Sequence, residues 1–381
     1  MTSARLIPLC LPTPLFVLGT IARCQSIPRV TISGTVYDDS TSVVLQNVNV
    51  FIARTTLGST TDQHGRFEIK NVSLGSYEII ASRVGYALRT LRVGLTQSRT
   101  EEVEIRLRPR PIQLGEVVVT AAEPSEWKKQ LENFITLFLG ESQNAKECKI
   151  LNPEVLDFSV GNKGEFEASA RAPLDIDNLA LGYHLQFYLT QFTVGRPGLA
   201  SLWPSHDNQF LAYAGEPKFT ELLAASPEER ERWTANRLQA YKGSLRHFLA
   251  SLFLKELAKE GFLIQLMPHA IGDFPLPGEH AVETVTEDDI LSDTPRSYEK
   301  TVHFIGTLRI RYIGKPIDPG NELMSWASLN RRDSRLQLNY EAITFNVRGL
   351  IWDWFPTKTY GDWARSRMAD ALPLDYDPEE H

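Results

Sequence analysis

The stretch "WDWFPTKTYGDW" (residues 352–363) gathers the side chains best suited to hold a ligand. Trp352, Trp354, Tyr360 and Trp363 offer flat rings, and Asp353 and Asp362 set carboxylates beside them. Aromatic faces stack on sugar rings while carboxylates bond to hydroxyls, so the patch fits a glycan. The same residues also fill a hydrophobic core with a capped turn. Trp352 and Trp354 flank Asp353 directly after the run "VRGLI", and period two sends both rings to one side, inward. Trp363 follows Gly361 and is expected to be the exposed ring. Trp352, Asp353, Trp354, Tyr360 and Trp363 are therefore the candidate ligand-binding residues.

Two further clusters carry polar chemistry. In "YKGSLRHF", Ser244 and His247 stand three residues apart on a helix, a spacing that could activate a hydroxyl. No orienting acid stands near them in sequence, so Ser244 is expected to cap a helix at an interhelical junction. In "PLDIDN", Asp175 and Asp177 alternate with Ile176 and point one way from an extended segment. Calcium wants more oxygen ligands than Asn178 adds, and the surrounding loop is apolar, so a capped turn over residues 175–178 is expected. The histidines, at 64, 184, 206, 247, 269, 280, 303 and 381, never fall three or four residues apart. His-Glu-x-x-His, Gly-x-Ser-x-Gly and phosphate-cradling glycine loops do not occur in the sequence. The sequence thus nominates no catalytic residue, no cofactor and no metal ligand.

The chain has 381 residues and a net charge of −7, with no long basic run. This balance gives no electrostatic case for nucleic acid or an anionic lipid surface. The N-terminus reads as an export signal over residues 1–24. Arg5 precedes an apolar run broken by Pro8, Pro12 and Pro14, too short for a comfortable transmembrane helix. Ala22 and Cys24 occupy the small-residue positions of a cleavage site, which places the mature start near Gln25. Lipid anchoring at Cys24 is the alternative, disfavoured by Arg23, since lipoprotein signals carry a small residue there. Cys10 and Cys24 leave with the signal, and Cys148 remains as a single thiol, expected to be a small buried hydrophobe.

The elements that would position these groups follow from periodicity. Residues 28–108 alternate with period two in short runs separated by turns: "RVTISGTVYD", "LQNVNVFIA", "RFEIKNV", "SYEIIASRV", "RTLRVGL" and "EEVEIRLR". Such spacing predicts a β-sandwich that buries its alternating faces by itself. Asp62 and Gly65 in "TTDQHGRF" predict a turn with Gly65 at positive φ, and Gly75 a second one. Residues 109–124, with Pro109 and Pro111, read as a linker, and residues 125–381 as an α+β domain. There, a helix is expected after Ser125, ending at Gly140. A second helical stretch opens with Ser226, Pro227 and Glu229, divides at Gly243–Ser244 and closes at Gly261.

The N-terminal pattern resembles the carboxypeptidase regulatory-like domain, a transthyretin-like β-sandwich. Gly34, Val36, Asn47, Val48, Val50, Thr61, Asp62, Gly65, Phe67, Leu74, Gly75, Tyr77, Gly85 and Tyr86 carry the resemblance. Residues 113–121, "QLGEVVVTA", are similar to the segment joining this sandwich to the plug of TonB-dependent receptors, but the remaining chain is too short for a plug and a 22-stranded barrel. The later half resembles the body of short exported proteins of Gram-negative bacteria that bear this domain. The resemblance implies a periplasmic or outer-membrane-associated protein, with the sandwich as a spacer or docking module and an envelope protein or glycan as partner. It assigns no active site. A carbohydrate-binding protein using residues 352–363, or a hydrolase with a dispersed site, are the alternatives.

Overall fold

In a computed structural model of the chain, residues 29–95, 101–110, 124–162, 164–195, 210–267, 270–271, 274–275, 282–317, 320, 332–351 and 357–378 are described. The export segment, residues 113–121 and Trp352, Asp353 and Trp354 lie outside the described residues.

Period-two alternation in the first part becomes two facing sheets. Strands β1 (Arg29–Asp38), β2 (Asn49–Ile52), β3 (Gly58–Thr60), β4 (Arg66–Ser73), β5 (Gly75–Ser82), β6 (Arg89–Leu95) and β7 (Glu101–Leu107) are ordered β4–β1–β7 and β3–β2–β5–β6. β7 runs parallel to β1; the other pairings are antiparallel. Ile32, Val36, Val50, Ile52, Phe67 and Ile79 meet in one core between the sheets. The Asp62 turn forms as its residues dictate: Asp62 Oδ1 accepts the N–H groups of His64 (2.8 Å) and Arg66 (2.9 Å), and Gly65 has φ +69°.

The rest of the chain is built on two further cores. Helix α1 (Pro124–Leu139) covers a six-stranded sheet of β8 (Cys148–Ile150), β9 (Leu156–Val160), β10 (Phe166–Ala170), β11 (Leu174–Asn178), β12 (Tyr183–Gly195) and β13 (Phe210–Glu221). β12 is the spine: β11 and β10 share one of its sides, and β13 pairs along the other. The apolar stripe of α1 lays Phe134 on Phe192, with centroids 4.7 Å apart, and Phe138 on Phe187 at 5.0 Å.

Helices α2 (Pro227–Tyr241) and α3 (Leu245–Leu254) follow. Ser226 caps α2 by accepting the Glu229 N–H at 3.2 Å, while the Glu229 carboxylate reaches one residue beyond the cap, to the Ala225 N–H. Strands β14 (Phe262–Met267), β15 (Ala270–Ile271), β16 (Phe274–Pro275), β17 (Glu283–Thr284), the helical turn α4 (Glu287–Ile290), and strands β18 (Leu291–Asp293), β19 (Glu299–His303), β20 (Thr307–Tyr312), β21 (Arg332–Leu338), β22 (Ala342–Asn346) and β23 (Thr357–Gly361) come next, and the helical turn α5 (Asp362–Arg365) follows β23. The strands form sheets β17–β14–β20–β21–β23 and β18–β19–β22, with β15 and β16 paired to each other. Both larger sheets share a core with α3, whose Phe248, Leu249 and Leu252 are wholly buried with Leu308 and Leu336 of the first and Phe345 of the second.

Three local expectations fail. Ser125, expected to precede α1, lies inside it, because the helix already begins at Pro124. Residues 174–178 form strand β11, not a turn: Leu174 and Ile176 are buried inward, so period two wins over the turn signals of Asp175 and Asp177. The turn comes later, at residues 179–182, where Gly182 has φ +69°. Helix α3 stops at Leu254 rather than Gly261, because Lys255 adopts a left-handed conformation that returns Leu257 to the core.

Candidate functional site

Trp363 is buried, against expectation. It is 6% exposed, its Nε1 donates to the Gly243 carbonyl at 2.8 Å, and its ring lies 5.5 Å from Phe248. Gly361 is the cause. With φ +71° it turns the chain back at the end of β23, where a Cβ would meet the Asp333 carbonyl at 2.3 Å, and so carries Trp363 onto α3. The Tyr360 hydroxyl donates to Gln337 Oε1 at 3.0 Å, which commits its polar end to the neighbouring strand. Of the five candidate ligand-binding residues, Trp363 thus serves the core, Tyr360 is half-buried, and Trp352, Asp353 and Trp354 lie outside the described residues.

Ser244 is a helix cap. Its hydroxyl accepts the backbone N–H of His247 at 3.1 Å. His247 Nδ1 accepts the Gly243 N–H at 3.0 Å, so the neutral ring carries its proton on Nε2, which faces Glu260 at 3.3 Å. Burial among Tyr241, Phe262 and Tyr312 pushes the His247 pKa below the usual range, against the opposing pull of Glu260.

Asp175 and Asp177 do point one way, and they meet a residue that sequence spacing did not single out. The hairpin register sets Asp177 opposite His184 and Asp175 opposite Gln186. His184 Nδ1 lies 2.8 Å from Asp177 Oδ1, and Nε2 lies 3.6 Å from Asp175 Oδ1. Asp175 also accepts from Gln186 at 3.2 Å and Asn152 at 3.4 Å. The ring sits between the carboxylates with one nitrogen toward each, so the three do not converge on a common point as metal ligands do. Among the described residues no group of three or more His, Cys, Asp or Glu could hold a metal, and no hydroxyl or thiol bonds to His184. Cys148 is half-buried, and burial, with Asp370 and Glu147 nearby, pushes its thiol up to about 12.

The densest specific contacts join the sandwich to the body. Arg54, at φ +64°, forks onto Glu216 of β13 with two 2.9 Å bonds. The loop adds to the edge of β13: the Arg54 N–H donates to the Pro217 carbonyl (2.8 Å) and the Phe219 N–H to the Thr55 carbonyl (3.1 Å). Lys218 reaches Asn49 at 2.8 Å, and Phe51 stacks on Tyr188 at 5.4 Å. Phe51 and Ile80 are wholly buried on the sandwich's outer face, sealed by the body. Further along, Ser76 donates to Glu299 and Arg348 to Ser73.

A strap, residues 366–378, closes this seam. Met368 and Ala369 enter the α1 core, and Asp370 Oδ1 accepts from Ser142 and Asn144, both at 2.9 Å. The Leu374 N–H then donates to the Arg54 carbonyl at 2.7 Å, and the Asp375 carboxylate takes both the N–H and the hydroxyl of Thr56. Arg246 donates to the carbonyls of Pro373 (2.6 Å), Leu374 (2.8 Å) and Tyr376 (2.9 Å). Loss of water around this guanidinium pushes its pKa down to about 10, with neighbouring Arg348 adding to the shift.

The first part of the chain has a family. Residues 32–119 match the CarboxypepD_reg-like domain. The match takes in the CarboxypepD_reg-like sandwich and stops before α1, so the body that the sandwich docks on lies outside it. No curated protein matches the chain. Among solved structures, the pilus 2b backbone protein of group B streptococcus is 17% identical over 21% of this chain and 41% of its own, with a TM-score of 0.19. An interface mutant of the type II cohesin–X-dockerin complex of Acetivibrio cellulolyticus is 24% identical over 30% and 76%, with a TM-score of 0.19. A putative carbohydrate binding protein of Pseudomonas aeruginosa is 15% identical over 22% and 90%, with a TM-score of 0.18. The alignment thus spans about two fifths of the pilin, and at these TM-scores none of the likenesses carries functional weight. Among the described residues no helix is long and apolar enough to cross a membrane.

Proposed function

We propose that this chain is a cell-envelope docking protein in which the CarboxypepD_reg-like sandwich is a rigid base and the α+β body bears the partner-binding surface. The observation that carries the reading is the seam. A spacer hung on a flexible linker needs few contacts with its neighbour. This sandwich instead shares a bidentate ion pair, an edge-strand pairing and a buried aromatic stack with the body. Such a base holds the body in a fixed orientation relative to whatever anchors the N-terminal side. The residues that would do chemistry in an enzyme have structural partners here: Ser244 caps, His247 satisfies Gly243, and His184 is held between Asp175 and Asp177.

Two measurements test this. Fractionation of cells carrying a tagged full chain, with mass spectrometry of its N-terminus, is expected to recover an envelope protein processed near Gln25. A cytosolic chain that keeps Met1 would overturn the envelope reading. Calorimetry of the full chain is expected to show sandwich and body unfolding together, and two well-separated transitions would remove the rigid base.

A further inference from the structure

The strap does more than cover the seam. Its central residues, 373–376, form a turn, with the Tyr376 N–H donating to the Pro373 carbonyl at 3.0 Å, and this turn lies in a groove made by three separate parts of the chain. Main-chain recognition comes from two arginines and one loop. Arg246 spans the carbonyls of Pro373, Leu374 and Tyr376, Arg348 adds a second bond to Leu374 at 3.0 Å, and the Arg54 carbonyl takes the Leu374 N–H. Side-chain recognition comes from either side of that row. Leu374 is 8% exposed and joins Ala53, Tyr77, Leu350 and Ile351 around a cleft. Asp375 is read by the N–H and hydroxyl of Thr56, and Tyr376 lies with its ring 6.0 Å from Tyr241.

We propose that this groove is a peptide-recognition site, that Pro373-Leu374-Asp375-Tyr376 is its resident ligand in cis, and that a peptide of the same chemistry can take its place. Main-chain bonds supply the affinity, and the cleft around Leu374, Thr56 beside Asp375 and Tyr241 beside Tyr376 supply the specificity. The two arginines make the arrangement exchangeable. Their hydrogen bonds go to main-chain carbonyls, which any peptide offers, so a foreign turn can satisfy the same donors. The strap touches both the sandwich loop and the body, so its release weakens the seam. The groove is thereby a latch between the two halves. The inference stands on the groove's geometry and does not depend on where in the cell the chain resides.

The test cuts the folded protein. A specific protease site is placed at the exposed Ser366 of the full chain, and the protein is cleaved after purification. The strap is expected to stay bound until diluted or competed. A fluorescent synthetic peptide of residues 366–378 should then bind the strap-depleted protein saturably. The same peptide carrying Leu374→Ala or Asp375→Ala should bind roughly tenfold or more weakly, as truncating an anchor side chain does. Peptides that bind equally well with and without these side chains, or no binding by a depleted protein that remains folded, would overturn the proposal. If the depleted protein aggregates, the intact chain bearing Leu374→Ala is titrated instead. Its weakened strap should let the wild-type peptide in roughly tenfold more readily than the unmodified chain does. Equal uptake by the two would refute exchange.

Discussion

Replacing Arg54 by alanine removes the fork onto Glu216 and leaves that carboxylate, 7% exposed, without its cation. Breaking a fully buried pair from one side costs about 3–5 kcal/mol. The Arg54 side chain is itself 37% exposed, so water can reach Glu216 once the guanidinium is gone, and an expected loss of about 2 kcal/mol follows. Arg54 also has a second role, which glycine isolates. Its φ of +64° lets the N–H meet Pro217 while the carbonyl meets Leu374. A residue with a Cβ pays about 1–2 kcal/mol for that conformation, and glycine loses part of the relief to the entropy of its unfolded chain. Arg54→Gly should therefore lose about 0.5–1 kcal/mol less than Arg54→Ala. Urea unfolding of the full chain, followed by tryptophan fluorescence, measures both. Adding Glu216→Gln to Arg54→Ala should cost less than the sum of the two single changes, because they share one interaction. A neutral Arg54→Ala would show that the ion pair does not hold the seam. A glycine variant less stable than the alanine one would show that the left-handed loop is not required.

Other outcomes follow from single residues. Trp363→Ala should cost roughly 3–5 kcal/mol and reduce the melting temperature, since it empties a core site and strands the Gly243 carbonyl; an unchanged melt would return Trp363 to the surface. Gly182→Ala should destabilise strongly, because the added Cβ meets Trp233 at 2.3 Å at a φ of +69°, and an unaltered midpoint in urea would contradict that packing. His247 titrates below its unfolded value near 6.5, so the unfolded chain binds the extra proton first and stability falls as pH drops below about 6.5. In His247→Phe that part of the acid loss should vanish from a pH series of unfolding curves. The Cys148 thiol, held up to about 12, should react with a thiol reagent at pH 8 far more slowly in the folded protein than in urea, and equal rates would refute its burial.

The sandwich was legible because each of its signals is local. Gly65 sits three residues after Asp62, and one turn satisfies both. The helix starts at Ser226 and Ser244 were equally readable, since a cap is a contact across three residues. Failures began where a local signal met a distant partner. Alternation assigns Phe51 to the outer face of β2, and on an isolated sandwich it would face water. Its burial depends on Tyr188, more than a hundred residues later in the chain, whose own strand gives no hint of the sandwich.

The same reasoning explains why the candidate sites were harder to read than the fold. His184 is not legible beside Asp177 because seven residues separate them, two turns apart on a helix and too far for contact there; only the register of a hairpin brings them opposite, and that register needs the turn at 179–182 to be placed correctly. Position after Gly361, where it could open the last helix, makes Trp363 read as exposed, whereas the positive φ of Gly361 folds the ring inward. The strap is the limiting case. Arg246 and Arg348 recognise carbonyl oxygens, which every residue carries, so the sequence "PLDY" holds no mark of the arginines that grip it. Leu374, Asp375 and Tyr376 contribute identity to the contact through their side chains, which is why exchange by a foreign peptide should depend on them.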